Sequence, residues 1–560
     1  MKKWELISKP EVDSSKINID GIVKILLKNR NIKTKKEIKE FLNPQILNVT
    51  LDKVKINKLQ VRKSVNRIKK AIKNKEQIIV FGDYDVDGIC GSAILWETLN
   101  SLGAKALPYI PHRVDEGYGL SLKGIQNLES KIQNIKLIIT VDNGIVANDA
   151  VDFAKKQGID VIITDHHVPS KKLPKAFSII HTTQLCGAGV AYMLSKEFII
   201  HNSEFRILQD EHLALVALAT VADLVPLTGA NRALLKSGLL KLRKTKRPGL
   251  LALFGEAKID SVNIGVYEIG HIIAPRLNAM GRLESAMDSL RLICTTNKER
   301  AIELAAKLAS TNKERQQVTE EAVVHAKGIA RGLKTDGILF ISHKSYEQGV
   351  IGLVAGKLVE GFYRPSIVVS EGEVYSKASA RSITGFNIVE FIRGDLNLLV
   401  DVGGHPMAAG FTVETKKLSL LEKSLQKRAK KMLKGVLLER LIRVDMELPE
   451  GLISQDLYDS IQELQPFGMK NPEPVFLTED FIIEDIRLVG NGNKHLKLQL
   501  KSQKSNIKIE GIAFGMGEEN GFRIGDRVDV VYTLDENQWN GSKKLQLKIK
   551  DIKRPGNLQA

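Results

Sequence analysis

QIIVFGDYDVDG, residues 77–88, decides how the first half of this chain folds. Its opening is a short, continuous apolar run rich in Ile and Val, closed by a glycine. That is the pattern of a strand buried on both faces. Two more such runs follow, KLIITVD (136–142) and DVIITD (160–165), separated by helix-like stretches that include GSAILWETLNSLG and VANDAVDFAKKQG. Strands alternating with helices at this spacing predict βαβ units and a parallel sheet covered on both faces, an α/β class.

Each of the three runs ends in ionisable residues: Asp83, Asp85 and Asp87 after the first, Asp142 (in VDNG) after the second, and Asp165, His166 and His167 after the third. Sites in open parallel sheets form beyond the carboxyl ends of the strands, so these groups are expected in one crevice. So many carboxylates repel one another and take up protons unless a cation neutralises them. Oxygen ligands with one or two imidazoles suit Mn²⁺ or Mg²⁺, the nitrogen favouring Mn²⁺. Carboxylates of a DxD pair that bridge two ions about 4 Å apart suit phosphate-ester hydrolysis. Taken singly, each motif has a plainer reading. DxDxDG is often a turn or a Ca²⁺-loop fragment, although the Glu that an EF-hand needs at its twelfth position is missing. Asp142 reads as a helix N-cap, and a His-His pair as a surface feature. Their joint occurrence at successive strand ends favours a metal site.

A chain of 560 residues implies roughly three or four domains. No apolar run approaches the roughly 20 residues that span a bilayer, and MKKWELISKP lacks a signal-peptide core. The expectation is a soluble cytoplasmic protein with no membrane partner. Cys90, Cys186 and Cys294 form no CxxC pair and read as buried apolar residues. Lys and Arg number 83 against 65 Asp and Glu, a balance that favours a polyanion such as nucleic acid. No GxxxxGK[ST] loop occurs, which disfavours an ATP-driven motor.

Five segments follow. Residues 1–65 read as an irregular or helical lead-in, and 66–290 as the parallel-sheet catalytic domain. A long helical periodicity without proline makes 291–333 a connecting helix, and 334–440 forms a second, smaller α/β domain. In 441–560, alternating segments such as KHLKLQLKS, DRVDVVYTL and KKLQLKIKDI predict a small antiparallel barrel.

GDYDVDG, VDNG, TDHH and ATVADLVPL (219–227) resemble the four motifs of the DHH phosphoesterase superfamily. YIPHRVDEGYGLS (109–121), LCGAGVAYML (185–194), APRLNAMGRL (274–283), GVIGLVAGKLVE (349–360), SKASARSITGFNI (376–388), GGHPMAAGF (403–411) and LQPFGMKNPEPVF (464–476) extend the resemblance to the RecJ exonuclease family over nearly the whole chain. The resemblance implies a DHH catalytic domain, a DHH-associated domain and an OB-like barrel. It also implies a metal-dependent exonuclease that degrades single-stranded DNA from 5′ to 3′ into mononucleotides in recombination and repair. It makes Asp83, Asp85, Asp87, Asp142, His166 and Asp223 the ligands of two Mn²⁺ or Mg²⁺ ions. Asp85, Asp87, His166 and His167 form the catalytic set, with His167 on the scissile phosphate or completing the metal site. Asp165 orients an imidazole from behind the ligands.

Candidate substrate contacts surround these. Arg381, Arg276 and Arg282 suit successive phosphates, assisted by Asn278 and Ser379. Arg113 and Tyr118 suit the terminal nucleotide by charge and stacking. Gly403 and Gly404 allow close approach to a phosphate, and His405 can donate to it. In the barrel, Phe514, Tyr532 and Trp539 are candidates to stack bases, and Lys494, His495 and Lys497 to attract the backbone. Three departures from the family pattern touch the substrate groove: a short connection between the third and fourth motifs, Ala378 and Ala380 in place of common glycines, and Asn387 in place of a common Asp. The expected molecule is a monomer, with single-strand-binding protein or a helicase as companions. The enzyme alternative is another DHH phosphoesterase, acting on short oligonucleotides or cyclic dinucleotides. A catalytically silent DNA-binding scaffold is a third reading, disfavoured because every acidic motif is intact.

Overall fold

The computed structural model describes residues 2–8, 17–113, 115–117, 119–199, 206–333, 337–434, 439–503, 507–517, 521–539 and 542–556. The chain divides into two compact units, residues 46–225 with 233–438, and residues 1–45 with 226–232 and 439–560. The lead-in expected over 1–65 is therefore no separate segment. Its first part belongs with the barrel, because the helix Ile19–Asn29 turns Ile22, Leu26 and Leu27 into the same apolar core as Leu457, Ile461 and Phe476.

The larger unit opens on a five-stranded parallel sheet of β1 (Gln77–Phe81), β2 (Ala106–Tyr109), β3 (Ile135–Val141), β4 (Asp160–Asp165) and β5 (Ser178–His181). Its order is β2-β1-β3-β4-β5, so the chain leaves β1 for one side and returns on the other. This reversal opens a crevice at the carboxyl end of β1. Every residue of β1 is buried, as the apolar run requires. The two edge strands escape a reading by apolar runs: each has four residues, and β2 carries Pro108, which an edge tolerates.

Helix α1 (Val86–Ser101) follows β1 and is buried almost all round. It packs against α2 (Gly187–Ile199) and α3 (Arg206–Ala222). Further along, a π-helical turn over Ile269–Ile273 runs directly into α4 (Ala274–Leu283). The proline-free periodicity becomes α5, one helix from Lys298 to Gly332.

The second α/β domain of this unit holds β6 (Leu339–His343), α6 (Ile351–Phe362), β7 (Ser366–Ser370), β8 (Tyr375–Arg381), β9 (Leu399–His405) and β10 (Ala408–Glu414). Its sheet order is β9-β10-β8-β7-β6, with only β6 and β7 parallel.

In the smaller unit, strands Phe476–Val489, His495–Lys501, Lys508–Ala513, Ser542–Lys553 and Arg527–Trp539 pair in that order. The last pairs back onto the first, which closes a barrel. Tyr532, a candidate base-stacker, is instead fully buried in the barrel core and hydrogen-bonded to Thr478 at 2.8 Å. Period-two alternation turned it inward with Val528 and Val530. Phe514 is 55% exposed, edge-on to His495 with ring centroids 5.1 Å apart. The side chain of Trp539 lies outside the described residues. Lys497 pairs with Glu510 at 3.0 Å, and Lys494 is exposed.

Cys90 and Cys186 are buried and Cys294 is half-buried, all as free thiols. Among the described residues, no helix is long and apolar enough to cross a membrane.

Candidate metal centre and cleft

After β1 the chain turns so that Asp83, Asp85 and Asp87 run into the first turn of α1. Asp85 caps that helix, its Oδ1 accepting from the backbone N–H of Asp87 at 2.9 Å and of Gly88 at 3.1 Å. Asp87 reaches the start of α2, where its two oxygens accept from the N–H groups of Gly187 and Ala188, both at 2.6 Å. Capping is the plain reading of a strand-end aspartate, and both residues do it. Each carboxylate has about four lone-pair sites, so capping leaves room for a cation.

Asp142 follows β3 in the left-handed region, at φ 63°. Such a conformation is uncommon for a residue with a side chain, and cases of this kind cluster at functional sites. Gly187 permits it: a Cβ there would lie 2.6 Å from that of Asp142, so only glycine lets α2 start so close.

Three triads of ligand atoms result, each within 4.8 Å: Asp142, His166 and His167; Asp87, His166 and Asp223; and Asp83, Asp85 and Asp142. His166 joins the first two. Its Nε2 lies 3.1 Å from Asp142 and 3.6 Å from both Asp87 and Asp223. Burial pushes the carboxyls of Asp83, Asp85 and Asp142 up, and neighbouring carboxylates push the same way. Burial, with Asp87 and Asp85, lifts Asp223 to about 9. Oδ1 of Asp83 is buried with no hydrogen-bond partner among the described residues. Carboxylates that must protonate when alone, one with an orphaned oxygen, beside two imidazoles and no thiolate, fit hard divalent cations such as Mn²⁺ or Mg²⁺.

Behind this cluster lies Asp165. Its Oδ1 accepts from the N–H groups of His166 (2.7 Å) and His167 (3.1 Å) and sits 2.8 Å from Nδ1 of His167; its Oδ2 accepts from Ile145 N–H. Burial opposes the charge, yet these bonds hold the carboxyl below its ordinary range. Burial likewise opposes charge on His167, but the contact with Asp165 and the other carboxylates raise its imidazole to about 9. The hairpin of β9 and β10 brings the His405 ring to 6.1 Å from that of His167, nearly parallel at 19°.

A cleft of about 660 Å³ opens beside the cluster, with Asp83, Tyr84 and Asp85 on one wall and Arg113, Asn278, Arg282, Ser379 and Arg381 among its other lining residues. Asn278 accepts from Val86 N–H at 2.9 Å and so ties α4 to the start of α1. Arg113 lies over the Tyr84 ring at 5.0 Å. Arg282 donates to the Gly349 carbonyl, and Arg381 to Ser379 Oγ and the Ala380 carbonyl. Burial, together with repulsion from Arg113, Arg315 and Arg381, lowers Arg282 to about 10. Among the described residues, the side chains of Arg282, Arg315 and Arg381 bond to carbonyl, amide or hydroxyl oxygens rather than to carboxylates. Arg113, Arg282 and Arg381, clustered on a cleft wall and not paired with carboxylates among those residues, suit a phosphate.

Not every predicted residue is brought together. Arg276 does not line the cleft; its Nη1 donates to the Ile272 carbonyl. Tyr118 lies outside the described residues. Gly403 and Gly404 do not line the cleft either, and the close approach that Gly404 permits is to its own hairpin, where a Cβ would sit 2.3 Å from the Ala408 carbonyl. Ala380 packs into the sheet's core, Ala378 does so while also reaching the cleft wall, and Asn387 caps the helix Ile388–Arg393. Two cations were not anticipated. Lys377 shares the face of β8 with Ser379 and Arg381, a period-two signal present in SKASARS. Arg315 sits mid-way along α5, where nothing local marks it.

The family comparisons follow these domains. Residues 77–220 match the DHH family N-terminal domain, 335–433 the DHHA1 domain and 444–551 the RecJ OB domain. The single-stranded-DNA-specific exonuclease RecJ of Bacillus subtilis is 35% identical over 98% of this chain and 70% of its own length. Its Escherichia coli namesake is 32% identical over 88% and 90%. Among solved structures, RecJ of Thermus thermophilus in complex with Mn²⁺ superposes with a TM-score of 0.83 at 28% identity, covering 99% of this chain and 80% of that one. An exonuclease RecJ bound to manganese gives 0.58 at 30% identity over 68% and 97%. Likeness sustained through catalytic, associated and barrel domains alike makes this chain a member of the RecJ family.

Proposed function

We propose that this protein is a metal-dependent exonuclease that degrades single-stranded DNA from the 5′ end to mononucleotides. One observation carries the reading: the three ligand triads adjoin a cleft walled by arginines that, among the described residues, are not paired with carboxylates. A terminal phosphate held by Arg113, Arg282 and Arg381 sets the next phosphodiester against Asp83 and Asp85, the two aspartates shared by the cleft wall and a ligand triad. Bound divalent ions supply Lewis acidity to the scissile phosphoryl group and lower the pKa of water.

The chain's own residues do the rest. Asp85 and Asp87 hold their oxygens in place through the caps on α1 and α2. Asp165 orients His167 toward the cluster, and His405 faces its ring from the hairpin. The Bacillus subtilis and Escherichia coli relatives carry the name of a single-stranded-DNA-specific exonuclease, which supports the substrate. A chain that consumes single strands draws them from a helicase or from single-strand-binding protein during recombination and repair. Chromosomal DNA as the source places it in the cytoplasm.

The test is Mn²⁺-dependent digestion of single-stranded DNA labelled at either end, with Asp85→Ala as control. The reading expects early release of a labelled mononucleotide from the 5′ end only, lost in the variant. Early release from the 3′ end, equal cleavage of duplex, or undiminished activity of Asp85→Ala overturns it.

A further inference from the structure

The arginine cleft accounts for one side of the metal centre. On another side, three exposed side chains lie on the residue after Asp223 and on an element that packs against the helix before it. Leu224, the residue after Asp223, is 67% exposed and sits at φ 56°, an outlier for a bulky side chain. Such strain clusters at functional sites. Tyr267 is 61% exposed and stacks on the exposed ring of His271, centroids 4.6 Å apart and 18° from parallel. His271 lies within the π-helical turn Ile269–Ile273 and Tyr267 just before it, and such turns are found mostly at functional sites. A Cβ on Gly270 would lie 3.8 Å from Val221, so the turn packs on the last turn of α3, directly before Asp223.

The same turn continues into α4, whose far end places Asn278, Gly281 and Arg282 in the cleft. One continuous helix thus leads from the arginine cleft back to an exposed aromatic stack. Between them, Arg276 has a buried Nε with no hydrogen-bond partner among the described residues. An exposed π-face on an element that runs on into the cleft suits a nucleobase.

We infer that Tyr267, stacked on His271, forms a base-stacking track for the part of the DNA strand that has not yet reached the metal centre. This rests on the single-strand exonuclease reading.

The experiment compares wild type, Tyr267→Ala and Tyr267→Phe on 5′-phosphorylated single strands, each with one abasic nucleotide at a successive position from the 5′ end. Tyr267→Ala is expected to raise KM on intact strands by about fivefold or more, with kcat held, and Tyr267→Phe to behave as wild type. Wild type is expected to show the same rise at one abasic position, and Tyr267→Ala no further rise there. An unchanged KM for Tyr267→Ala, an equal loss in Tyr267→Phe, or effects that multiply at every position refutes the track while leaving the exonuclease reading intact. If wild type releases no nucleotide from any strand, that reading fails and the track with it.

Discussion

Helix α1, which presents Asp85 and Asp87, is tied down at its other end by a buried ion pair. Glu97 accepts from both Nη groups of Arg247 at 2.6 Å and lies 3.1 Å from Nε2 of His212. Arg247 and His212 are buried, and burial keeps the histidine neutral, so its Nε2–H donates. Burial works against the Glu97 carboxylate, but Arg247 and His212 more than offset it and hold the group at about 2 against an ordinary 4.5. At 1.36 kcal/mol for each pH unit, the ionised carboxyl contributes about 3 kcal/mol at neutral pH. Glu97→Gln also takes away the carboxylate that both Nη groups of Arg247 meet, leaving only Glu211, 3.3 Å from its Nε; removing one member of a buried pair costs up to about 3–5 kcal/mol. Because the folded-state value is depressed, the contribution is fully present above pH 4.5 and disappears as pH falls from 4.5 toward 2. Urea unfolding followed by Trp96, in a background with Trp4→Phe and Trp539→Phe, reports the larger unit. The stability difference between parent and Glu97→Gln should stay level from neutral pH down to about 5 and shrink only below it. A difference under about 1 kcal/mol at neutral pH, or one that vanishes above pH 5, refutes the reasoning.

Three further outcomes are expected. Mn²⁺ at a hundredfold its dissociation constant should stabilise the protein by about 2.7 kcal/mol, an effect removed by chelator and absent in Asp142→Ala; an equal thermal shift in that variant would place the ion elsewhere. In the smaller unit, Arg232 is fully buried, its guanidinium donating to the carbonyls of Phe41, Leu464 and Gln465 and lying 3.8 Å over the Phe41 ring. Arg232→Met should cost about 3 kcal/mol or more in urea unfolding of that unit, because several buried carbonyls lose their donors at once. Tyr532→Phe removes only a buried hydroxyl pair, so it should cost about 1 kcal/mol and leave affinity for single-stranded DNA unchanged; a clear loss of affinity would restore Tyr532 as a base contact.

The parallel sheet and the acidic strand ends were legible in the linear chain because both are local. A buried strand writes its environment into consecutive residues, and a carboxyl end of such a strand is a fixed place in the fold. Asp83, Asp85, Asp87, Asp142, His166 and His167 could therefore be named together. Asp223 could not be found this way, since it follows a buried helix and only the packing of α3 swings it to within 3.6 Å of His166. The family resemblance promoted it. Other features belong to tertiary structure alone. Arg315 enters the arginine cluster from the middle of a long helix, and an arginine there looks like any solvated one. Arg276, six residues before Arg282 on the same helix, turns away from the cleft because that spacing rotates a side chain by about 240°. The first 45 residues join a barrel nearly 400 positions later, a pairing with no local trace. Propensity and periodicity are short-range and appear in order along the chain, whereas packing between distant elements is selected by whole-molecule burial and leaves its record only in three dimensions.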